Sequence, residues 1–370
     1  MFFLSKLSGL LIFLSFLTTL YSYFFSENLL IIAGIFAWVS FLILFSSLKN
    51  KTIIIVLLIL SVFAFCFSYF NGYKIDFVKV FTVNQYLLTL LIGVGFLRLI
   101  ATPKKDKLTQ FPIGKDSFIK TYFGVHLFGS VINLSSLILV ADKMYKKSPL
   151  TNTQVVLLTR AFASDAYWSP FFVAFAAAIT YAPKLDTSII LLNGIVLAFF
   201  AFLITYFEVV KNKEFKLDEF RGYPLSFESL YVPFILAILV LVTNYIYPNI
   251  KVIVLISTFS IFITLLIFPF KKGLSQSLIK FNNHVIEELP KMKVEIALFL
   301  VAGMFGISIS SILIGLNLDL PFKIFDWQIA SILLFIFIML AFIGIHPIIT
   351  IAIIGDFLGG VNHTLLALTF

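Results

Sequence analysis

Gly124-Val-His-Leu-Phe-Gly-Ser-Val-Ile-Asn-Leu-Ser-Ser136 lies at the centre of an apolar run over 119–141, and it is a poor centre for a helix facing lipid. Two glycines, a histidine, an asparagine and three serines fall within it. Backbone of this composition survives at membrane depth only when it is buried in protein or lines an aqueous cavity. The stretch therefore reads as a re-entrant hairpin that dips into the bilayer and returns on the same face. Close helix–helix packing through small and hydroxyl residues is the competing explanation.

Outward from this stretch, apolar runs recur at about 7–25, 29–48, 52–70, 86–101, 154–182, 188–207, 229–247, 250–270, 294–315 and 327–354. Each reads as long enough to cross a hydrocarbon core of roughly 30 Å as a helix. Hydrophobic residues make up 61% of the chain and charged residues 12%, about half the charged share of soluble domains. The polar interruptions at 102–118, 208–228 and 271–293 are too short to fold alone. The expected fold is all-α: a single transmembrane domain over 1–370 with about ten spans, re-entrant hairpins and inverted repeats.

Charge tests that topology. If every run crosses once from a cytoplasmic N-terminus, loop Lys and Arg number 11 inside and 14 outside, which is no bias. If 119–141 instead enters and leaves on the cytoplasmic side, the count becomes 20 inside and 5 outside, as the positive-inside rule requires. Folding 154–182 back at Pro170 instead gives 17 and 8. The net charge of +9 is thus a topology signal and an attraction to anionic lipid, not a nucleic-acid surface. Cys66 is the only cysteine, which excludes an internal disulfide and cysteine metal sites. Residues 1–25 lack a small-residue cleavage site and read as a first span. The use of 46 Phe, with Lys far outnumbering Arg, suggests an AT-rich bacterial genome, hence the bacterial inner membrane. The apolar run Thr364–Phe370 stops without a polar end and suggests a chain cut short.

Two further stretches could carry chemistry. In Leu158-Thr-Arg-Ala-Phe-Ala-Ser-Asp-Ala-Tyr-Trp-Ser-Pro-Phe-Phe172, Arg160 is one of only three arginines. Arg160, Ser164 and Trp168 share a helical face at spacing four, and Asp165 falls about 140° round from Arg160. Arg160 has a bland alternative, snorkelling to the headgroups. Asp165 is deeper and too short for that, and an intramembrane carboxylate defaults to a functional role, here proton coupling. Pro170 removes a backbone donor and frees carbonyls near Ala166. In Gly344-Ile-His-Pro-Ile-Ile-Thr-Ile-Ala-Ile-Ile-Gly-Asp356, Pro347 interrupts an otherwise smooth apolar helix. The words Gly124-Val-His126 and Gly344-Ile-His346 repeat, with spans of opposite direction before them, and suggest inverted repeats over 86–207 and 294–370. Both histidines are candidate proton carriers or solute ligands.

The hairpin, the helix interrupted at Ser169-Pro170 and their inverted recurrence resemble the ion transporter superfamily, which includes divalent-anion symporters, arsenite-pump membrane subunits and the large subunits of TRAP transporters. The resemblance covers about 86–182 and 294–370. It implies a scaffold and a moving transport part, a homodimer, and a solute bound where hairpin tips meet interrupted helices. The Ser-Asn-Thr words of sodium sites in such symporters are replaced here by Asn133-Leu-Ser-Ser136, so the coupling ion, H+ or Na+, stays open. The expected function is secondary transport of a small anionic or polar solute by alternating access. The expected ligands are His126, Asn133, Ser135, Ser136, Arg160, Ser169, His346 and Thr350, with no cofactor or metal. Two alternatives remain: a membrane enzyme of envelope polysaccharide or lipid-linked sugar synthesis, and an assembly subunit that transports nothing. The first normally needs a large outside loop, and the longest here, about 71–85, carries only Lys74, Asp76 and Lys79.

Overall fold

The computed structural model describes residues 2–49, 51–101, 111–223, 231–318, 320–355 and 357–370. Among these the fold is helical, with no strand beyond an isolated bridge between Ile113 and Arg221. In chain order the helices are α1 (Phe2–Phe25), α2 (Leu29–Leu44), α3 (Thr52–Phe70), α4 (Phe77–Thr82), α5 (Gln85–Ala101), α6 (Lys115–Ile132), α7 (Leu134–Tyr145), α8 (Asn152–Ala163) and α9 (Val173–Tyr181). There follow α10 (Thr187–Lys211), α11 (Tyr231–Ile246), α12 (Val252–Lys272), α13 (Leu274–Asn283), α14 (Lys293–Gly315), α15 (Trp327–Phe342), α16 (Pro347–Gly355) and α17 (His363–Thr369). Among the described residues seven helical stretches are long and apolar enough to cross a membrane: Phe3–Phe25, Leu29–Ser47, Thr52–Phe70, Phe77–Ile100, Thr187–Lys211, Val252–Lys272 and Leu274–Gly315. Phe234–Ile246 and Trp327–Phe342 are shorter apolar helices.

Three runs that hydropathy reads as continuous are divided. The run 119–141 breaks at Asn133, whose φ of 57° is positive, which is uncommon outside glycine. The run 154–182 breaks between α8 and α9, through a 3-10 turn at Ser164–Tyr167 and Pro170. The run 327–354 breaks at Gly344, with φ 94°.

The chain forms two compact units. The first comprises Met1–Ile92, Ala177–Thr187 and Ser275–Phe370. Its helices approach closely where side chains are absent: a Cβ on Gly34 would lie 2.1 Å from the carbonyl of Phe81, and one on Gly306 2.4 Å from that of Ala352. Some buried polar groups there are paired across helices. Asn84, in the break between α4 and α5, donates to the Phe299 carbonyl at 2.7 Å and accepts from the Tyr181 hydroxyl at 3.3 Å. The loop after α9 is tied to α17, since the Lys184 amide donates to His363 Nδ1 at 3.0 Å and the Asp186 amide to Thr364 Oγ1 at 2.8 Å.

The second unit comprises Gly93–Ala176 and Ser188–Leu274. Here the chain doubles back at Asn133, so that α6 and α7 lie side by side. Phe118, Tyr122 and Val125 of α6 share one buried cluster with Val140 and Met144 of α7 and with Leu157, Leu158 and Ala161 of α8. The feet of this hairpin meet a single dipeptide: Ser117 Oγ accepts from the Gly222 amide at 3.0 Å, and Lys143 donates to the Tyr223 hydroxyl. The segment 212–223 also holds the start of α8, where Gln154 donates to the Arg221 carbonyl at 2.7 Å and Thr153 to that of Phe215 at 2.6 Å. Thr151 and Gln154 close a reciprocal capping box there, which satisfies two otherwise orphaned donors.

Candidate functional site

The tip of the α6–α7 hairpin meets the interruption between α8 and α9. Asn133 donates from Nδ2 to the Phe171 carbonyl at 3.0 Å. Ser169 donates from Oγ to the Ser130 carbonyl and accepts from the Phe171 amide at 3.2 Å. Ser136 closes the tip on itself, donating to the Asn133 carbonyl at 2.8 Å. Pro170 cannot continue the helical ladder, and the free backbone is taken up locally: the Asp165 carbonyl accepts from the amides of Ser169 at 2.9 Å and Trp168 at 3.3 Å. At Gly194, α10 backs this segment so tightly that a Cβ would lie 2.0 Å from the Tyr167 carbonyl oxygen.

Beneath the tip, His126 and Asp165 face each other. Nδ1 of His126 lies 2.8 Å from Asp165 Oδ1, 3.0 Å from Ser164 Oγ and 3.1 Å from the Ala161 carbonyl. Nε2 of the same ring accepts from the Trp168 indole at 3.1 Å. Tyr122 stacks on the other side, its ring 6.3 Å from the imidazole and its hydroxyl 3.4 Å from Ser164 Oγ. Asp165 has no exposed surface and His126 is 8% exposed. The approach of Nδ1 to Asp165 is close but poorly aligned, and neither carboxylate oxygen has a well-aligned donor among the described residues. The amide oxygen of Asn133 is likewise buried without a partner. Unsatisfied buried polar atoms in one small region are costly, and such atoms can bind a proton, a cation or a polar solute.

The structure therefore brings together His126, Asn133, Ser136, Asp165 and Ser169 of the residues expected from sequence. The side chain of Ser135 lies outside the described residues. Arg160 is elsewhere engaged: its guanidinium grips Glu208 of α10 with both nitrogens, at 2.6 and 3.3 Å, and the pair is about two-fifths exposed. His346 and Thr350 belong to the first unit. His346 is exposed and caps α16 by accepting the Ile348 amide on Nδ1 at 3.2 Å, while Thr350 is buried in the first turn of that helix. Sequence reasoning missed Tyr122 and Gly129 as site residues. It singled out Ser164 and Trp168 only as neighbours of Arg160 on a helical face. A Cβ on Gly129 would lie 2.2 Å from Asp165 Oδ2 and 3.2 Å from Ser136 Oγ, so these two oxygens converge on the space the missing side chain leaves. Among the described residues no group of three or more His, Cys, Asp and Glu side chains is placed to hold a metal ion. No protein-family model, curated protein or solved structure matches the chain.

Proposed function

We propose that the chain is a secondary transporter of a small polar or anionic solute, working by alternating access in a bacterial cytoplasmic membrane and coupled to protons through Asp165. One observation carries this reading: a carboxylate with no exposed surface faces an imidazole where a hairpin tip meets an interrupted helix. Ionisable groups at membrane depth are expensive and default to functional roles. Interrupted helices at a repeat interface are the usual place for solute and coupling-ion sites. The buried oxygens of Asp165 and Asn133 supply unclaimed acceptors, and the hydroxyls of Ser136 and Ser169 lie beside them. Arg160 is balanced by Glu208, which removes it from the list of groups needed to attract an anion.

The topology in this reading has two re-entrant hairpins. At 1.5 Å per residue α7 is about 18 Å long, too short to cross roughly 30 Å of hydrocarbon. Its foot shares Gly222-Tyr223 with the foot of α6, which supports entry and exit on one face, that of the Lys-rich loops. The N-terminus lies on that face. We take α15 and α16 as the second hairpin, with its tip at Gly344, entering from the opposite face. Gly355 at the end of α16 packs on the Tyr181 ring, and His363 just beyond meets Lys184 in the loop assigned to that far face. In this reading the seven long helices, Phe234–Ile246 and the interrupted pair α8–α9 make nine crossings. The repeats over 86–207 and 294–370 are then related by inversion, as in the superfamily the sequence resembles.

The test is flux into proteoliposomes from a panel of small anions and polar solutes, with a trapped pH indicator. Solute-driven proton movement is expected in the wild type and its loss in Asp165→Asn. An established flux whose proton coupling survives Asp165→Asn would remove Asp165 from the mechanism.

A further inference from the structure

The indole of Trp168 donates and cannot accept. Its bond to Nε2 of His126 at 3.1 Å therefore requires a bare nitrogen there. A neutral imidazole carries one N–H, so the proton sits on Nδ1, within reach of Asp165 Oδ1, Ser164 Oγ and the Ala161 carbonyl. An imidazolium would set a second N–H against the indole N–H in a site that is almost wholly buried. Among the described residues the titratable groups facing this ring are Asp165, from the interruption, and Tyr122, one turn back on α6. Arg160 on α8 is taken up by Glu208. The second proton that would make a cation of His126 has no place while the indole is bound.

We propose that Trp168 is a positioning residue that locks His126 as the neutral Nδ1–H tautomer and so leaves Asp165 as the only group of the pair able to take up a proton. This rests on the transport reading for its purpose, though not for its chemistry. The exchange balances simply. A proton from water bonds to a carboxylate oxygen of Asp165, the imidazole keeps its own N–H throughout, and release returns that one proton to water. The site then carries one proton per cycle instead of two. Trp168 sits at the end of the 3-10 turn that interrupts the helix, so any rewinding of that turn withdraws the indole and frees Nε2.

The tautomer is readable by 15N NMR on histidine-labelled full-length protein in lipid vesicles, with the His126 signals assigned by their loss in His126→Gln. In the wild type, Nδ1 protonated and Nε2 bare are expected across pH 5 to 8. In Trp168→Phe, which keeps a ring and loses the donor, His126 is expected to populate the Nε2–H form or to become a cation at the acid end. A wild-type spectrum showing Nε2–H or an imidazolium near pH 7 overturns the lock without any variant, and a Trp168→Phe spectrum identical to wild type overturns it as well. If the lock is seen but no solute drives proton movement, the transport reading fails and the tautomer assignment stands.

Discussion

Gly129 and Asp165 occupy one another's space: the carboxylate of Asp165 lies where any side chain on Gly129 would have to go, with Oδ2 2.2 Å from the ideal Cβ position. Gly129→Ala must therefore push the carboxylate away from His126. Overpacking of this kind typically costs about 1–3 kcal/mol. The expected outcome is a lower melting temperature in detergent together with loss of flux. A Gly129→Ala protein with wild-type flux would mean that the position of Asp165 is unimportant.

Asn133 holds a backbone geometry that glycine adopts more readily. Its φ of 57° with ψ of −146° falls near a region that is nearly exclusive to glycine, where other residues carry strain on the order of 1–3 kcal/mol. Both Asn133→Gly and Asn133→Ala lose the bond to Phe171, but only glycine recovers the strain. Glycine should melt within about 1 kcal/mol of wild type and alanine clearly below it, by a further ~1–2 kcal/mol. Equal melting of the two variants argues against the reversed backbone at this position.

Arg160 and Glu208 form a two-pronged ion pair that is substantially exposed. Exposed pairs contribute little to stability, because solvent screens them. Arg160→Ala and Glu208→Ala should each change stability only slightly, and the charge-swapped double variant should restore whatever is lost. A double-mutant cycle measures the coupling. A loss of flux in Arg160→Ala that Arg160→Lys rescues would return the residue to the solute site.

Topology can be read by cysteine accessibility, with Cys66→Ala as background because Cys66 is exposed. Ser148→Cys, just beyond α7, should label only from the side of the N-terminus. Gly360→Cys, where the backbone has open space around it, should label only from the opposite side. Labelling of Ser148→Cys from the far side would end the first hairpin, and labelling of Gly360→Cys from the N-terminal side would end the second.

Much of this arrangement can be read from residue order. Runs of eighteen or more apolar residues announce membrane helices, and the polar centre of 119–141 with the loop charge count points to the reversal near Asn133. Asp165 stands out because a carboxylate inside an apolar run needs a reason. Its partner was not legible, since His126 comes from a different helix. A helical wheel also places Asp165 wrongly: α8 ends at Ala163 and Asp165 belongs to a 3-10 turn, where each residue advances by more than the α-helical 100°. The pairing of Arg160 with Glu208 is likewise non-local. His346 reads from sequence as a proton carrier or solute ligand, not as a helix cap. A residue directly before a proline that opens a helix is in the capping position, and its nitrogen serves the backbone there. The repeated Gly-apolar-His word has different backbone in its two copies, since Gly124–His126 is helical and Gly344–His346 is a turn.

Because Ser117 and Lys143 are both fastened to Gly222-Tyr223, neither arm of the hairpin can slide past the other at its base. Movement is left with two forms: bending near the tip, or displacement of the whole hairpin with the 212–223 segment in tow. That segment follows α10 directly and also grips the first turn of α8, so it links the positions of four helices like a tie-rod. Loosening Tyr223 alone would release the foot of α7 and leave that of α6 still held at Gly222.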